Sequence, residues 1–395
     1  EAGIGTAPVL LLRGIAMTRT TRVAAGAGDN IRRSTNSGAS WSITTTGYTL
    51  RDVCIVPGTR EVWVVGDRSS VSSSTVFYSS DAGVNWMTGA SPGSEDFSAV
   101  RFVNSQYGYI GSSTLGRVYR TTNGGISWTN TSTPPPMVRV FDLAFKDSVT
   151  GHAVGESRID GRISFTTNAG TNWAGQAPSL IPFLRGIAYY PPDPNDRTVV
   201  GDSGAILHTT NLGSTWIRRS SGTTRDLEGV AYASALHVYA VGDLGTIVRS
   251  TDGGAMWSQQ PSGVTNTLYD VAFISRDTGF VVGNSGLILA TTTGGVVAVP
   301  EEIGSAVPES YALMQNYPNP FNPTTHFGFR IADFGFVSLK VFDVLGRDVA
   351  TLINGSMHSG THSVLFDSGN LPSGVYLYRL TVGGFAEVKK MAVVR

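Results

Sequence analysis

Along residues 1–299 the apolar residues fall in short runs separated by Gly-, Ser- and Thr-rich stretches, and the runs repeat. One run recurs as Leu12–Met17, Leu50–Ile55, Phe97–Phe102, Val140–Phe145, Leu184–Tyr189, Leu227–Tyr232 and Leu268–Phe273. A second signal follows in step, an octapeptide ending in Trp: Ser34–Trp41, Ser79–Trp86, Thr121–Trp128, Thr166–Trp173, Thr209–Trp216 and Ser250–Trp257. A further copy, Thr291–Ala298, keeps the phase but carries Thr293 and Ala298 where the others have Asn or Asp and Trp. Between the two lies a third signal, clearest in Val200–His208, Val241–Arg249 and Val282–Leu289. Each unit thus reads as strand, turn, strand, Gly-x-x-Gly hairpin, strand, Asn/Asp-x-Gly turn, and a last strand opened by Trp.

Four strands per unit make a blade. The box tryptophans are spaced by 45, 42, 45, 43 and 41 residues, within the period of about 40–45 residues that marks propeller blades. Seven units are expected to close a ring. In the octapeptide, Asn or Asp hydrogen-bonds amides within the turn, Gly accepts positive φ, and Trp packs between strands. Asn36 with Trp41, Asp81 with Trp86, Asn123 with Trp128, Asn168 with Trp173, Asn211 with Trp216 and Asp252 with Trp257 are therefore assigned a structural role. Six of the seven tryptophans sit in these boxes, which argues against a sugar-stacking platform.

Composition narrows the function classes. Lys+Arg and Asp+Glu are 29 each, so no long-range field gathers nucleic acid or anionic lipid. With Gly at 48 and charged residues at 15%, the chain is of the all-β, turn-rich kind. Cys54, the single cysteine, excludes an intrachain disulfide and cysteine-based zinc or iron–sulfur sites, and its apolar run reads as core. The histidines show no metal-ligand spacing, and no cofactor or metal is expected. No apolar run approaches the roughly 20 residues of a membrane-spanning helix. The first residue is Glu1 rather than Met, which fits a leader removed or left out of the numbering.

The octapeptides resemble the Asp-box, or BNR, motif in the arrangement of the photosystem II stability and assembly factor propellers, over about residues 8–300. Related boxes occur in sialidases, xyloglucanases, sorting receptors and non-enzymatic scaffolds, so the resemblance specifies the hairpin and not an activity. The blade pattern stops after Val299, and residues 300–308 read as a linker. Residues 309–395 open with an Asn/Pro run, Tyr311–Thr325, that cannot be helical. They continue through Val337–Arg347, Leu371–Leu380 and Lys389–Met391 with strand alternation, Leu339, Val341 and Leu345 sharing one face. A small Ig-like β-sandwich is expected. These motifs resemble the type IX secretion C-terminal sorting domain. The resemblance implies export from a Gram-negative cell by way of the periplasm, with the translocon and an outer-membrane shuttle as partners. Asn319, Pro320, Phe321, Asn322, Pro323, Gly374, Tyr376 and Lys390 are the candidate recognition residues.

Chemistry is sparse. Asp52, Asp142 and Asp270 share the third place of the inner run and approach the axis; they either form a carboxylate pair for glycoside hydrolysis or bond backbone within their own blades. The Phe/Tyr-Arg-Ile-Pro signature of sialidases is missing, Leu180–Arg185 being the nearest text. Arg13, Arg51 and Arg185 share the second place, with Arg139 and Arg225 just before the equivalent run, and these five are the candidate mouth of the channel. Ion pairing with Glu228, Asp226, Asp52, Asp142 and Asp270 is the plainer account of the same arginines. The sequence thus supports a secreted or surface all-β protein, a seven-bladed propeller followed by a sandwich, that is not an enzyme. It binds a surface protein or glycan or assembles with itself; the alternative is a glycan-active lectin or glycoside hydrolase.

Overall fold

A computed structural model describes residues 10–394 except 29, 69–74, 132–136, 177–180, 191–192, 295–296, 302–310, 333–334, 358–359 and 370. Most of the expected linker at 300–308 thus lies outside the described residues. The chain divides into two compact units, Glu1–Pro300 and Glu301–Arg395.

In the first unit the described residues form seven four-stranded antiparallel sheets, each with strands in sequence order. The first comprises Leu11–Met17, Arg22–Ala27, Asn30–Ser34 and Ser42–Thr45, and the last ends on Val297–Glu301. Second strands are buried along their whole length, as in Val62–Gly66 and Val238–Gly242, because both faces meet a neighbouring sheet. The core is accordingly a series of apolar clusters between successive sheets. Val23, Ile31, Val53 and Val64 join the first to the second, and Leu12, Ile15, Phe280 and Val282 join the first to the seventh. Each such side chain contributes roughly 1.5–3 kcal/mol on burial.

The octapeptide forms a tight turn with two successive residues in the left-handed region, such as Ala82 (φ 64°) and Gly83 (φ 82°). The Asp81 carboxylate holds it by accepting the amides of Val84 (3.0 Å) and Asn85 (2.9 Å), the Asn85 side chain and the Ser79 hydroxyl. These bonds, the Asn85 amide foremost, hold its pKa down to about 2. Three of the box tryptophans lie edge-on to a ring of a neighbouring sheet: Trp41 meets Phe280, Trp128 meets Trp63 and Trp216 meets His152. These three join sheets, a longer reach than packing between strands of one blade, whereas Trp173 meets Phe145 of its own sheet.

In the second unit a three-stranded sheet (Ala312–Leu313, Thr324–Ile331, Gly360–Asp367) and a four-stranded sheet (Asp348–Met357, Gly335–Phe342, Gly374–Val382, Phe385–Val393) share one core. Phe327, Phe329 and Ile331 of the first meet Leu339, Val341 and Leu380 of the second. The alternation of Tyr376, Tyr378 and Leu380 inward against Val375 and Arg379 outward is as the sequence predicts. Leu345 is a correction. It does not continue the face of Leu339 and Val341 but stands 75% exposed, because the Asp343 carboxylate folds residues 343–347 into a turn by accepting the amides of Leu345 and Arg347.

Replacing Trp173, buried against Phe145 and Leu143, by Ala is expected to destabilise the first unit by about 3–5 kcal/mol. Met256→Ala, at an exposed place in another box, is expected to stay within about 0.5 kcal/mol. Denaturant midpoints check both, and equal effects would disprove the packing role.

Candidate functional site

The first strand of each of the seven sheets skips one register position at the same place, between the first and third residues of its recurring run: at Arg13, Arg51, Ser98, Phe141, Arg185, Glu228 and Tyr269. A bulge leaves one residue unpaired and re-aims its side chain. All seven of these residues line a single cavity of about 480 Å³, along with the third-place Asp52, Asp142 and Asp270. Farther along the same strands the lining turns apolar, with Met17, Ile55, Phe145 and Phe273.

The third place sits where neighbouring strands come closest. A side chain at Gly14 would lie 2.9 Å from the Asp52 Cα, and one at Gly229 would lie 2.9 Å from the Asp270 Cα, so these two strands have no room for a Cβ there. The aspartates use this proximity. Asp52 accepts the amide of Val53 in its own strand and that of Val100 in the next sheet, each at 2.8 Å. Asp142 takes Leu143 and then Ile187; Asp270 takes Val271 and then Ile15. The expected backbone bond within each acid's own blade is present, and a second bond adds to it. One oxygen stays home and the other reaches the following sheet, because the glycine or alanine there leaves that amide accessible.

Arg101 completes the cluster, donating to Asp52 at 2.6 Å and to Asp142 at 2.8 Å. Burial works against its charge, but the Asp52 and Asp142 carboxylates outweigh it and its pKa is raised. Burial likewise pushes Asp142 up to about 6, against the pull of Arg101, and Asp270 up to about 7, with the Asp52 charge adding. Sequence reasoning missed Arg101. The available signal was its slot: the fifth place is Ala16, Cys54, Ala144, Ala188, Ala231 or Ala272 in the other runs.

Of the arginines read as a channel mouth, Arg13, Arg51 and Arg185 line the cavity, and Arg139 and Arg225 do not. Their partners differ from the acids that the sequence offered. Arg51 binds both Asp67 oxygens, Arg185 binds Asp202 at 2.7 Å and Arg139 lies 3.4 Å from Glu156. Arg225 donates to the Leu244 carbonyl. The reason is antiparallel register: Leu50 pairs with Gly66, Leu184 with Gly201 and Arg139 with Glu156, which sets each arginine beside the acid across the ladder. Arg185 also lies 5.2 Å over the Phe141 ring. Among the described residues no His/Cys/Asp/Glu group could hold a metal ion.

In the second unit the candidate recognition residues divide into anchors and exposed groups. Phe321 is buried and bonded on both sides to the last strand, its amide to the Ala392 carbonyl and its carbonyl to the Val394 amide, each at 3.0 Å. Tyr376 is buried with its hydroxyl on the Pro372 carbonyl. Asn319 accepts the Ala392 amide at 2.8 Å, and the Pro323 carbonyl accepts the amide and hydroxyl of Ser368. Pro320, Asn322, Gly374 and Lys390 are exposed, as is Tyr317 at 77%, which the sequence reading passed over.

Residues 219–292 match the family model of the Photosynthesis system II assembly factor YCF48. Residues 315–394 match that of the Secretion system C-terminal sorting domain. No curated protein matches the chain in sequence. Among solved structures the chain is similar to YCF48 from Cyanidioschyzon merolae, with TM-score 0.59 and 21% identity over 73% of this chain and 97% of that one. It is similar to the GH74 xyloglucanase from Xanthomonas campestris, with TM-score 0.56 and 12% identity over 81% and 58%. It is also similar to PorZ, a surface component of the type-IX secretion system of Porphyromonas gingivalis, with TM-score 0.51 and 14% identity over 96% and 59%. The first unit is thus a propeller-type all-β fold with BNR repeats, and the tail is a sorting domain of the type IX kind, which directs export to the cell surface or the extracellular space. No helix among the described residues is long and apolar enough to cross a membrane.

The raised carboxyls fix a pH dependence. Asp142 and Asp270 bind protons more tightly when folded than their ordinary pKa of 3.8 implies, so their contribution to stability is full near pH 4 and is lost as pH climbs through 6 and 7. Asp270→Asn is expected to flatten the fall of melting temperature between pH 6 and 7, and an unchanged slope would refute the assignment. Arg101→Met is expected to cost on the order of 2–3 kcal/mol at neutral pH, by stranding two acids, and less below pH 6; melting at the two pH values reads the difference.

Proposed function

We propose that this protein is a non-enzymatic binding or structural propeller, exported by type IX secretion to the cell surface or beyond it. In this reading residues 1–299 close as a seven-bladed propeller, 300–308 are a linker, and 309–395 form a small Ig-like sandwich that the translocon and outer-membrane shuttle read. The observation that carries the non-enzymatic assignment is the commitment of the cavity's central carboxylates. Asp52, Asp142 and Asp270 each accept two backbone amides, and Arg101 takes up two of the three. Acid–base hydrolysis of a glycoside needs two carboxylates free to face the sugar. The likeness to PorZ is in keeping with a propeller associated with type IX secretion. The binding surface assigned to the propeller is the mouth formed by the bulge residues.

For the tail, Phe321 and Tyr376 are the anchors that hold the Asn/Pro segment and the penultimate strand in shape, while Pro320, Asn322, Gly374 and Lys390 are the groups presented to the export machinery.

Deleting residues 309–395 is expected to leave a folded first unit that the cell retains in its periplasm, since the sheets of that unit hold their own apolar clusters. Cell fractionation and melting of the purified fragment read the two halves. Continued export would refute the sorting role, and a collapsed transition would refute independent folding. A panel of polysaccharides and sialosides tests the non-enzymatic assignment: hydrolysis overturns it in favour of a glycoside hydrolase, and glycan binding without turnover shifts it to a lectin.

A further inference from the structure

Two bulge residues break the pairing rule of the channel mouth, in opposite directions. Where the rule holds, the paired glycine is followed by an aspartate that neutralises the bulge arginine, as with Gly66–Asp67 for Arg51 and Gly201–Asp202 for Arg185. In the first sheet the paired residue is Gly26 and the next is Ala27, so Arg13 has no acid across the ladder. In the sixth sheet Gly242 is followed by Asp243, but the bulge residue is Glu228, so an acid stands where the rule puts a cation.

Neither residue has a direct charged partner among the described residues; Asp67 acts on Arg13, and Arg185 on Glu228, only at a distance. The Arg13 Nε is buried with no hydrogen-bond partner, and neither Arg13 nor Glu228 stands in an ion pair among the described residues. Burial and then the Arg51 charge lower the Arg13 pKa. Burial raises that of Glu228, Arg185 opposing and Asp243 adding to the rise. Each charge is thus held at a cost, of the kind that a bound counter-charge removes. They line the same cavity and feel one another electrostatically without touching. The Tyr269 ring stacks under the Arg13 guanidinium, and the Phe141 ring, which carries Arg185 on one side, also lines the cavity.

We propose that the mouth binds a dipolar peptide segment, with a carboxylate against Arg13 and an ammonium or guanidinium against Glu228. The carbon stems of such side chains suit the flanking aromatic faces. This rests on the reading of the mouth as the binding surface. The carboxylate comes either from an acidic side chain or from the end of the partner's chain.

The test is fluorescence anisotropy of the full chain with short labelled Gly/Ser peptides. One carries Glu and Lys with blocked ends, one Glu alone, one Lys alone, and one Lys with a free C-terminal carboxylate. The Glu–Lys peptide, or the Lys peptide with a free end, is expected to bind at least about tenfold tighter than the single-charge peptides. Which of the two binds more tightly identifies the source of the carboxylate. Arg13→Gln is expected to abolish the gain from the carboxylate and Glu228→Gln the gain from Lys, with unchanged melting of each variant showing that it folds. Arg225→Gln, outside the cavity, is expected to change neither. Equal binding of the Glu-only and Glu–Lys peptides, still sensitive to Arg13, overturns the dipolar site and leaves a simple anion-binding mouth. Binding indifferent to both Arg13 and Glu228, or absent at millimolar peptide, overturns the mouth reading as well.

Discussion

The bulge at the second residue of the recurring run, in the first strand of each sheet, is the constraint on which the arrangement of the first unit depends. Strand alternation alone would send the second and fourth residues to one face and the third to the other. Skipping one position lets the second residue leave the ladder for the cavity while the third keeps its place beside the neighbouring strand. From this follow the crowding that excludes a Cβ at Gly14 and Gly229, and the amide left open for an aspartate from the preceding sheet. The bulge therefore builds both the joints between sheets and the set of side chains that line the cavity.

Those joints are of two kinds, and they lie in different places. Beside the cavity, Asp52, Asp142 and Asp270 tie one sheet to the next through backbone amides, a polar connection that depends on protonation. At the boxes, Trp41, Trp128 and Trp216 lie edge-on to aromatic rings of a neighbouring sheet, an apolar connection that does not. Since each sheet touches chiefly its two neighbours, stability adds up from such local interfaces. Individual second-place residues are then free to change without loss of the fold. The mouth uses that freedom: it carries arginine, serine, phenylalanine, glutamate and tyrosine on one repeated backbone frame.

The second unit makes the same division between frame and surface by other means. Asn316 is buried, donates its amide to the Tyr378 hydroxyl and reaches Thr325 with its side chain, while Phe321 docks its backbone on the last strand. These contacts fix an Asn/Pro segment that has too few amide donors to join a sheet on its own. Tyr317, Pro318 and Pro320 are thereby held exposed in one shape.

The sequence by itself determined the repeat, the strand order within each unit, the turn chemistry of the boxes and the identity of the tail, because each of these is set by residues close together in the chain. Asp81 reaches amides three and four residues ahead, and the period is counted directly from the tryptophans. It also identified the slots, second and third in each inner run, that line the cavity. What those slots do was decided only by the tertiary structure. Asp52 meets Val100, and Asp270 meets Ile15 from the far end of the unit, because neighbouring sheets pack with these strands side by side. Arg51 finds Asp67, and not the Asp52 beside it in sequence, because the bulge and the antiparallel ladder place them side by side. Arg13 and Glu228 lack an ion-pair partner across the ladder for the same reason, since Ala27 and Asp243 stand there. A charge's partner is a matter of distance in space, and that distance exists only once the strands have paired.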